Sequence, residues 1–233
     1  MTNRRLVVLP GALIAALAVP GVAAGATFTA LKPCYVSLAG TQPATETINL
    51  AGSGFTPNSK VDIAVDGQTK VNGAPVDPAG NLAASAQAPF VSQRDRAFTV
   101  TATEQGAPAP AAVGNTRVTA LNVGIQPRRA RPSSKVRFRG RGFTGAGKVY
   151  AHYRYKGKTR KRVSFTPKGA CGKFNARKRQ IPVRRPGTGE WTVQFSQQKR
   201  YSAQPTGVFV RLKIIVTRTI RFNYNAQTSA FGL

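Results

Sequence analysis

The sequence predicts an all-β protein: two tandem antiparallel β-sandwiches behind an N-terminal signal peptide. Three observations carry this expectation. Residues 48–61, INLAGSGFTPNSKV, recur without a gap at 136–149 as VRFRGRGFTGAGKV, so one module is written twice. Within each copy the apolar side chains alternate with polar ones, the period of half-buried strands. Glycine and proline number 23 and 16 while long helical periodicities are missing, which suits short strands joined by turns.

Residues 1–26 have the layout of a secretory signal. Arg4 and Arg5 precede an apolar run from Leu6 to Val19, and Ala24-Gly25-Ala26 offers an A-x-A cleavage site. The run holds Pro10 and is short for a spanning helix, which needs roughly 20 residues. Cleavage after Ala26 leaves an extracytoplasmic chain, secreted or associated with the cell envelope, with no later stretch apolar enough to span a bilayer.

In the first copy, residues 27–123, Ile48 and Leu50 share one face of a strand, and Val61, Ile63 and Val65 share a face of the next. In the second, residues 124–222, Val136 and Phe138 correspond to the first pair, and Val149, Ala151, Tyr153 and Tyr155 to the second set. Asp66-Gly67 and Lys156-Gly157 each close an alternating run as a turn. Pro78 and Gly80 answer Pro167 and Gly169, and RVTALNV (117–123) answers VRLKIIV (210–216). The proline-rich stretch 105–115 is then a loop inside the first copy, and the join falls near Val123 to Pro127. Phe55 and Phe143 each follow a Gly-x-Gly and are expected to fold inward as plugs. The tail 223–233 is polar with spaced aromatics.

GFTGAGKV (142–149) has the G-x-x-x-x-G-K spacing of a phosphate loop. The position after Lys148 is Val149, where a metal-binding Ser or Thr is required. The following YAHYRYKG reads as a strand, not the helix whose amides face phosphate. The sister segment GFTPNSKV has Pro57 and lacks the second glycine. A glycine-assisted turn before a strand is what both copies share.

The pattern G-x-G-F-T-P-x-S-x-V, followed by strand, turn and strand, resembles bacterial immunoglobulin-like repeats of secreted proteins, including the IPT/TIG type. The resemblance covers most of residues 33–222. It implies two tandem Ig-like antiparallel β-sandwiches, a fold used by spacers, adhesion modules and carbohydrate-binding accessories. Trp191 follows both cysteines, so the antibody-type arrangement of cysteine, tryptophan and cysteine is absent and no disulfide transfers from it. Cys34 and Cys171 permit one intrachain bridge, which would clamp the two copies together. Sequence does not supply the Cα distance, so a bridge and two separate thiols both stay open.

Charge separates the copies. In residues 27–123, Lys32, Lys60, Lys70, Arg94, Arg96 and Arg117 balance Glu46, Asp62, Asp66, Asp77, Asp95 and Glu104. Residues 124–233 hold 27 of the chain's 35 Lys and Arg against a single carboxylate, Glu190. Asn49, Ala51 and Ser53 of the first copy become Arg137, Arg139 and Arg141 of the second. The fold manages without these arginines, and clustered like charge destabilises a compact state, so something outside the fold favours them. Guanidinium groups grip phosphate, sulfate or carboxylate with paired hydrogen bonds. The expected contacts for an extended polyanion are Arg137, Arg139, Arg141, Arg154, Lys156, Lys158, Arg160, Lys161 and Arg162, with Tyr150, Tyr153, Tyr155 and Tyr201 among or beside them. The anionic partner is a wall polymer, acidic polysaccharide, anionic surface or DNA, with nucleic acid bound through charge alone. The alternative is a structural or adhesive envelope protein with a protein partner.

The inventory argues against an enzyme. Enzymes need groups that transfer protons or attack, and the second copy has one carboxylate, so no carboxylate pair, and one histidine, His152. That histidine is expected as an exposed strand residue amid cations. Asp62, Asp66 and Asp77 read as turn residues rather than calcium ligands, and Cys171 lacks partners at zinc spacing. Trp191 matches Phe98 of the first copy and is expected in the core. No cofactor and no metal are expected.

Overall fold

The computed structural model describes residues 25–39 and 43–217. The signal expectation therefore lies almost wholly, and the 223–233 tail wholly, outside the described residues. Among the described residues every regular element is a strand: β1 (Thr27–Phe28), β2 (Tyr35–Leu38), β3 (Ala44–Thr45), β4 (Thr47–Ser53), β5 (Lys60–Val65), β6 (Gln68–Pro75), β7 (Leu82–Gln87), β8 (Asp95–Glu104), β9 (Ala112–Ala120), β10 (Asn122–Gln126), β11 (Lys135–Arg141), β12 (Val149–Tyr155), β13 (Lys158–Phe165), β14 (Phe174–Arg179), β15 (Gly189–Ser196) and β16 (Phe209–Val216). The protein is all-β and β-sandwich-like in character.

The strands form four sheets. Sheet A has the order β1-β4-β7 and sheet B β3-β2-β9-β8-β5-β6; sheet C has β10-β11-β14 and sheet D β13-β12-β15-β16. The sequence repeat is thus a topological repeat. β4 and β11 are the central strands of three-stranded sheets, and β6-β5-β8-β9 has the same order as β13-β12-β15-β16. β2 and β3 extend sheet B, and β2 runs parallel to β9 where the other pairings are antiparallel.

Period-two burial builds one core per copy. β4 reads exposed, buried, exposed along TINLAGS, with Ile48, Leu50 and Gly52 inward. β11 repeats the pattern, with Val136, Phe138 and Gly140 inward. The first core gathers Ile48 and Leu50 with Val61, Ile63, Val65, Phe98 and Val100. The second gathers Ala151, Tyr153, Trp191, Val193, Phe195 and Leu212 between sheets C and D. Burying one such large side chain contributes about 1.5–3 kcal/mol.

Phe55 and Phe143 are buried to 3% and 1% exposure, each after a left-handed glycine, Gly54 or Gly142. A second glycine lies against each plug's backbone. A β-carbon on Gly80 would sit 2.7 Å from the Phe55 carbonyl oxygen, and one on Gly172 2.0 Å from that of Phe143. The partner of Gly80 is therefore Gly172 rather than the expected Gly169, because this is the glycine that the plug's backbone crosses. Gly142–Lys148 joins β11 to β12, and Val149 opens a strand. Asp66-Gly67 and Lys156-Gly157 have positive φ at both residues, the hairpin turn that matches strand twist.

The expected terminal strand 117–123 is two strands. β9 ends at Ala120 in sheet B and β10 begins at Asn122 in sheet C. Leu121 between them donates its N–H to the Ser37 carbonyl at 2.8 Å and turns its side chain into the second core, as do Val36 and Leu38 of β2. The apolar positions change phase here, from Val118 and Ala120 to Leu121, Val123 and Ile125, which marks the change of sheet within the run expected as one strand. Three further links cross the junction. Cys34 and Cys171 are disulfide-bonded, with Cα atoms 5.2 Å apart, and Lys173 pairs with Asp95 at 2.8 Å. Gly142, beside the bridge, packs a Cα–H face on the Leu121 backbone.

Candidate anion-binding surface

Sheet C carries a cationic stripe on its outer face. Val136, Phe138 and Gly140 point into the core, so Lys135, Arg137, Arg139 and Arg141 must point out. β14 pairs antiparallel with β11, setting Arg179 opposite Lys135, Arg177 opposite Arg137 and Asn175 opposite Arg139. Alternation puts Arg177 and Arg179 on the same outer face. Side chains along a strand repeat at about 6.7 Å, and strands lie about 4.8 Å apart, so six cations occupy two short rows. None of the six has a side-chain hydrogen bond, ion pair or ring contact among the described residues. The Nε of Arg141 is buried and unpartnered. Like charges directly opposite on neighbouring strands oppose pairing, and two such pairs occur here. The corresponding outward positions of sheet A are Asn49, Ala51 and Ser53 on β4 and Ala83, Ser85 and Gln87 on β7.

The other six expected contacts lie elsewhere. A sandwich has two outer faces, and β12 and β13 belong to sheet D, across the core from the stripe. There the segment between β15 and β16 folds over the sheet and engages its cations. Arg154 donates to the Tyr201 hydroxyl and the Gly157 carbonyl, and its guanidinium sits 4.0 Å above the Tyr201 ring. Arg162 donates to the Lys199 carbonyl at 2.6 Å and lies 5.4 Å from the Tyr150 ring. These two arginines hold the covering segment. Lys156, Lys158, Arg160 and Lys161 remain exposed at the β12–β13 hairpin. The nine expected residues thus form two separate groups plus two internal anchors.

His152 corrects the sequence expectation. It is 1% exposed, beneath the covering segment, with Nε2 3.0 Å from the Gln198 carbonyl. A carbonyl only accepts, so Nε2 carries the proton. Burial pushes its pKa below the usual value, the Gln198 carbonyl opposes that shift, and the Arg162 charge adds to it. The tyrosines are likewise engaged. Tyr153 is buried, which raises its pKa. Tyr155 stacks on Trp191 with ring centroids 4.8 Å apart, and Trp191 itself lies in the core.

At one end of the stripe the outer face of sheet C opens into a cleft of about 810 Å³. Its floor is Gly124 of β10, opposite Arg139 in register; a β-carbon there would touch nothing. Arg128, Arg139, Arg141, Lys168 and Lys173 surround it, and Asp95 from the first copy forms part of the wall. Asp95 is held by Lys173 at 2.8 Å and Arg117 at 3.1 Å. The Lys173 hydrogen bond is the main cause of its lowered pKa. Lys135, Arg177 and Arg179 of the stripe and Arg128, Lys168 and Lys173 of the cleft were not among the nine contacts expected from sequence. The clusters ARKR and PKGACGK were the available signal, and strand pairing is what unites them with β11.

Asp62, Asp66 and Asp77 are engaged within the first copy. Asp62 accepts from the Gly73 amide at 2.7 Å, Asp66 pairs with Arg96, and Asp77 accepts from the Ala79 and Asn81 amides at 2.9 and 2.8 Å. Among the described residues no helix is long and apolar enough to cross a membrane. No family model matches the chain, and no curated protein matches it.

Proposed function

We propose that this chain is an exported, non-enzymatic binding protein of two tandem immunoglobulin-like sandwiches, whose basic second module holds an extended polyanion of the cell envelope or its surroundings. The sheet order supports the architecture: three-stranded sheets built on β4 and β11 each face a larger sheet across a core. One observation carries the binding reading. Six cations without side-chain partners among the described residues line one outer face of the second module, while the matching face of the first is neutral. A flat, two-row array of guanidinium groups suits a linear polymer with repeating phosphate, sulfate or carboxylate groups. The exposed hairpin cations supply a second, weaker patch.

The test uses the full chain, since Val36 and Leu38 pack in the second core and cutting the modules apart would expose it. Arg137, Arg139 and Arg141 are replaced by the Asn, Ala and Ser of the first copy. With duplex DNA as the probe polyanion, the slope of log affinity against log salt should fall in magnitude by about 2.7, roughly 0.9 per lost contact. Elution from immobilised heparin should move to lower salt. Unchanged slope and elution would remove the stripe from the account, and binding insensitive to salt would favour a protein partner.

A further inference from the structure

We infer that the cleft over Gly124 is a binding site for a phosphomonoester carried on a hydroxylated unit, such as a sugar phosphate. The inference rests on the polyanion reading and narrows it to one group at one place. Four of the cleft's cations, Arg128, Arg139, Arg141 and Lys168, have no partner among the described residues. They converge from three directions. Arg139 and Arg141 rise from the central strand, Arg128 follows the edge strand β10, and Lys168 precedes the opposite edge strand β14. A planar carboxylate is satisfied by one guanidinium fork. Donors on three sides suit a tetrahedral group with three strong acceptor oxygens and a charge of about −1.5 to −2.

The wall is fixed. Lys173 and Arg117 neutralise Asp95, so the carboxylate does not repel an incoming anion. The disulfide at Cys171 ties the Lys168–Lys173 turn to the first module. Arg141 lines the cleft, and its side chain has no partner among the described residues. The volume exceeds what a lone phosphate fills, and the remaining rim offers Asn122, Gln126, Asn175 and Thr166, amides and a hydroxyl suited to sugar hydroxyls. The bare floor at Gly124 lets a ring approach the backbone closely.

Calorimetry on the full chain at 0.15 M salt tests this with glucose 1-phosphate, inorganic phosphate and glucose as probes. One glucose 1-phosphate should bind per chain, more tightly than inorganic phosphate, and glucose should not bind. Gly124→Val fills the floor without changing charge. It should weaken glucose 1-phosphate binding at least tenfold. If that variant fails to fold, Arg141→Gln and Lys168→Gln decide, each expected to weaken binding at least tenfold. An oligonucleotide with and without a 5′-phosphate separates a polymer end from a free sugar phosphate; either source is consistent with the site. Absence of saturable binding, or equal binding by the variants, overturns the cleft. Retention on heparin without glucose 1-phosphate binding sinks this inference alone, whereas the reverse sinks the polyanion reading.

Discussion

The Nε2–H of His152 donates to the Gln198 carbonyl while the Arg162 charge stands nearby and Arg154, Tyr150 and Tyr201 complete its surroundings. Burial and Arg162 favour the neutral ring, so the folded protein resists a proton that the unfolded chain accepts near pH 6.5. Stability contributed here is complete above that value and is lost as pH falls through the lower folded pKa. Melting temperature should therefore drop from pH 7.5 to pH 5, and His152→Gln, which keeps a donor for Gln198, should shrink that drop. An equal drop in the variant would show that His152 is not its source. The sequence placed His152 on the outward face of its strand correctly. What lies over that face is set by residues 197–208, whose path depends on Arg154 and Arg162 finding Tyr201 and Lys199, and no local pattern encodes that.

Each copy's plug turn depends on a glycine crossed by a backbone. Gly172 has φ near +54°, and a methyl group there would meet the Phe143 carbonyl at 2.0 Å. Gly172→Ala should destabilise the chain by about 2 kcal/mol or more in urea unfolding. Gly147→Ala, in the stretch that mimics a phosphate loop, meets nothing within 4 Å and should lose about 1 kcal/mol from backbone strain alone. Similar losses would contradict the plug geometry. Strand faces were legible because Ile48, Leu50, Val136 and Phe138 alternate with polar residues. Sheet membership was less so: β9 and β10 adjoin through Leu121, and the only local sign is the shift of apolar phase from Val118 and Ala120 to Val123 and Ile125. The stripe was half legible, since Arg137, Arg139 and Arg141 share a strand while Arg177 and Arg179 join them only through pairing.

The molecule is joined by a bridge, an ion pair and shared packing around Leu121. The bridge spans 137 positions of sequence, and closing so long a loop in the unfolded chain corresponds to about 5 kcal/mol of stability on the chain-entropy estimate. Cys34→Ser with Cys171→Ser should lower stability by several kcal/mol; a loss under about 1 kcal/mol would mean the junction holds without it. Asp95 adds a pH-dependent share. Its lowered pKa stabilises the fold above about pH 3.9, the unfolded value, and that share disappears as pH falls through the folded value. The Cys pairing was unreadable because it follows from how the two cores meet.

Net charge and local arrangement are separable because the copies correspond strand for strand. A variant combining Arg137→Asn, Arg139→Ala and Arg141→Ser with Asn49→Arg, Ala51→Arg and Ser53→Arg keeps the net charge of +28. It moves three arginines to an exposed face whose neighbouring strand is neutral. Its elution from immobilised heparin across a salt gradient is the most direct measurement. The account predicts elution near that of the variant lacking the three arginines; elution at the wild-type salt concentration would contradict it.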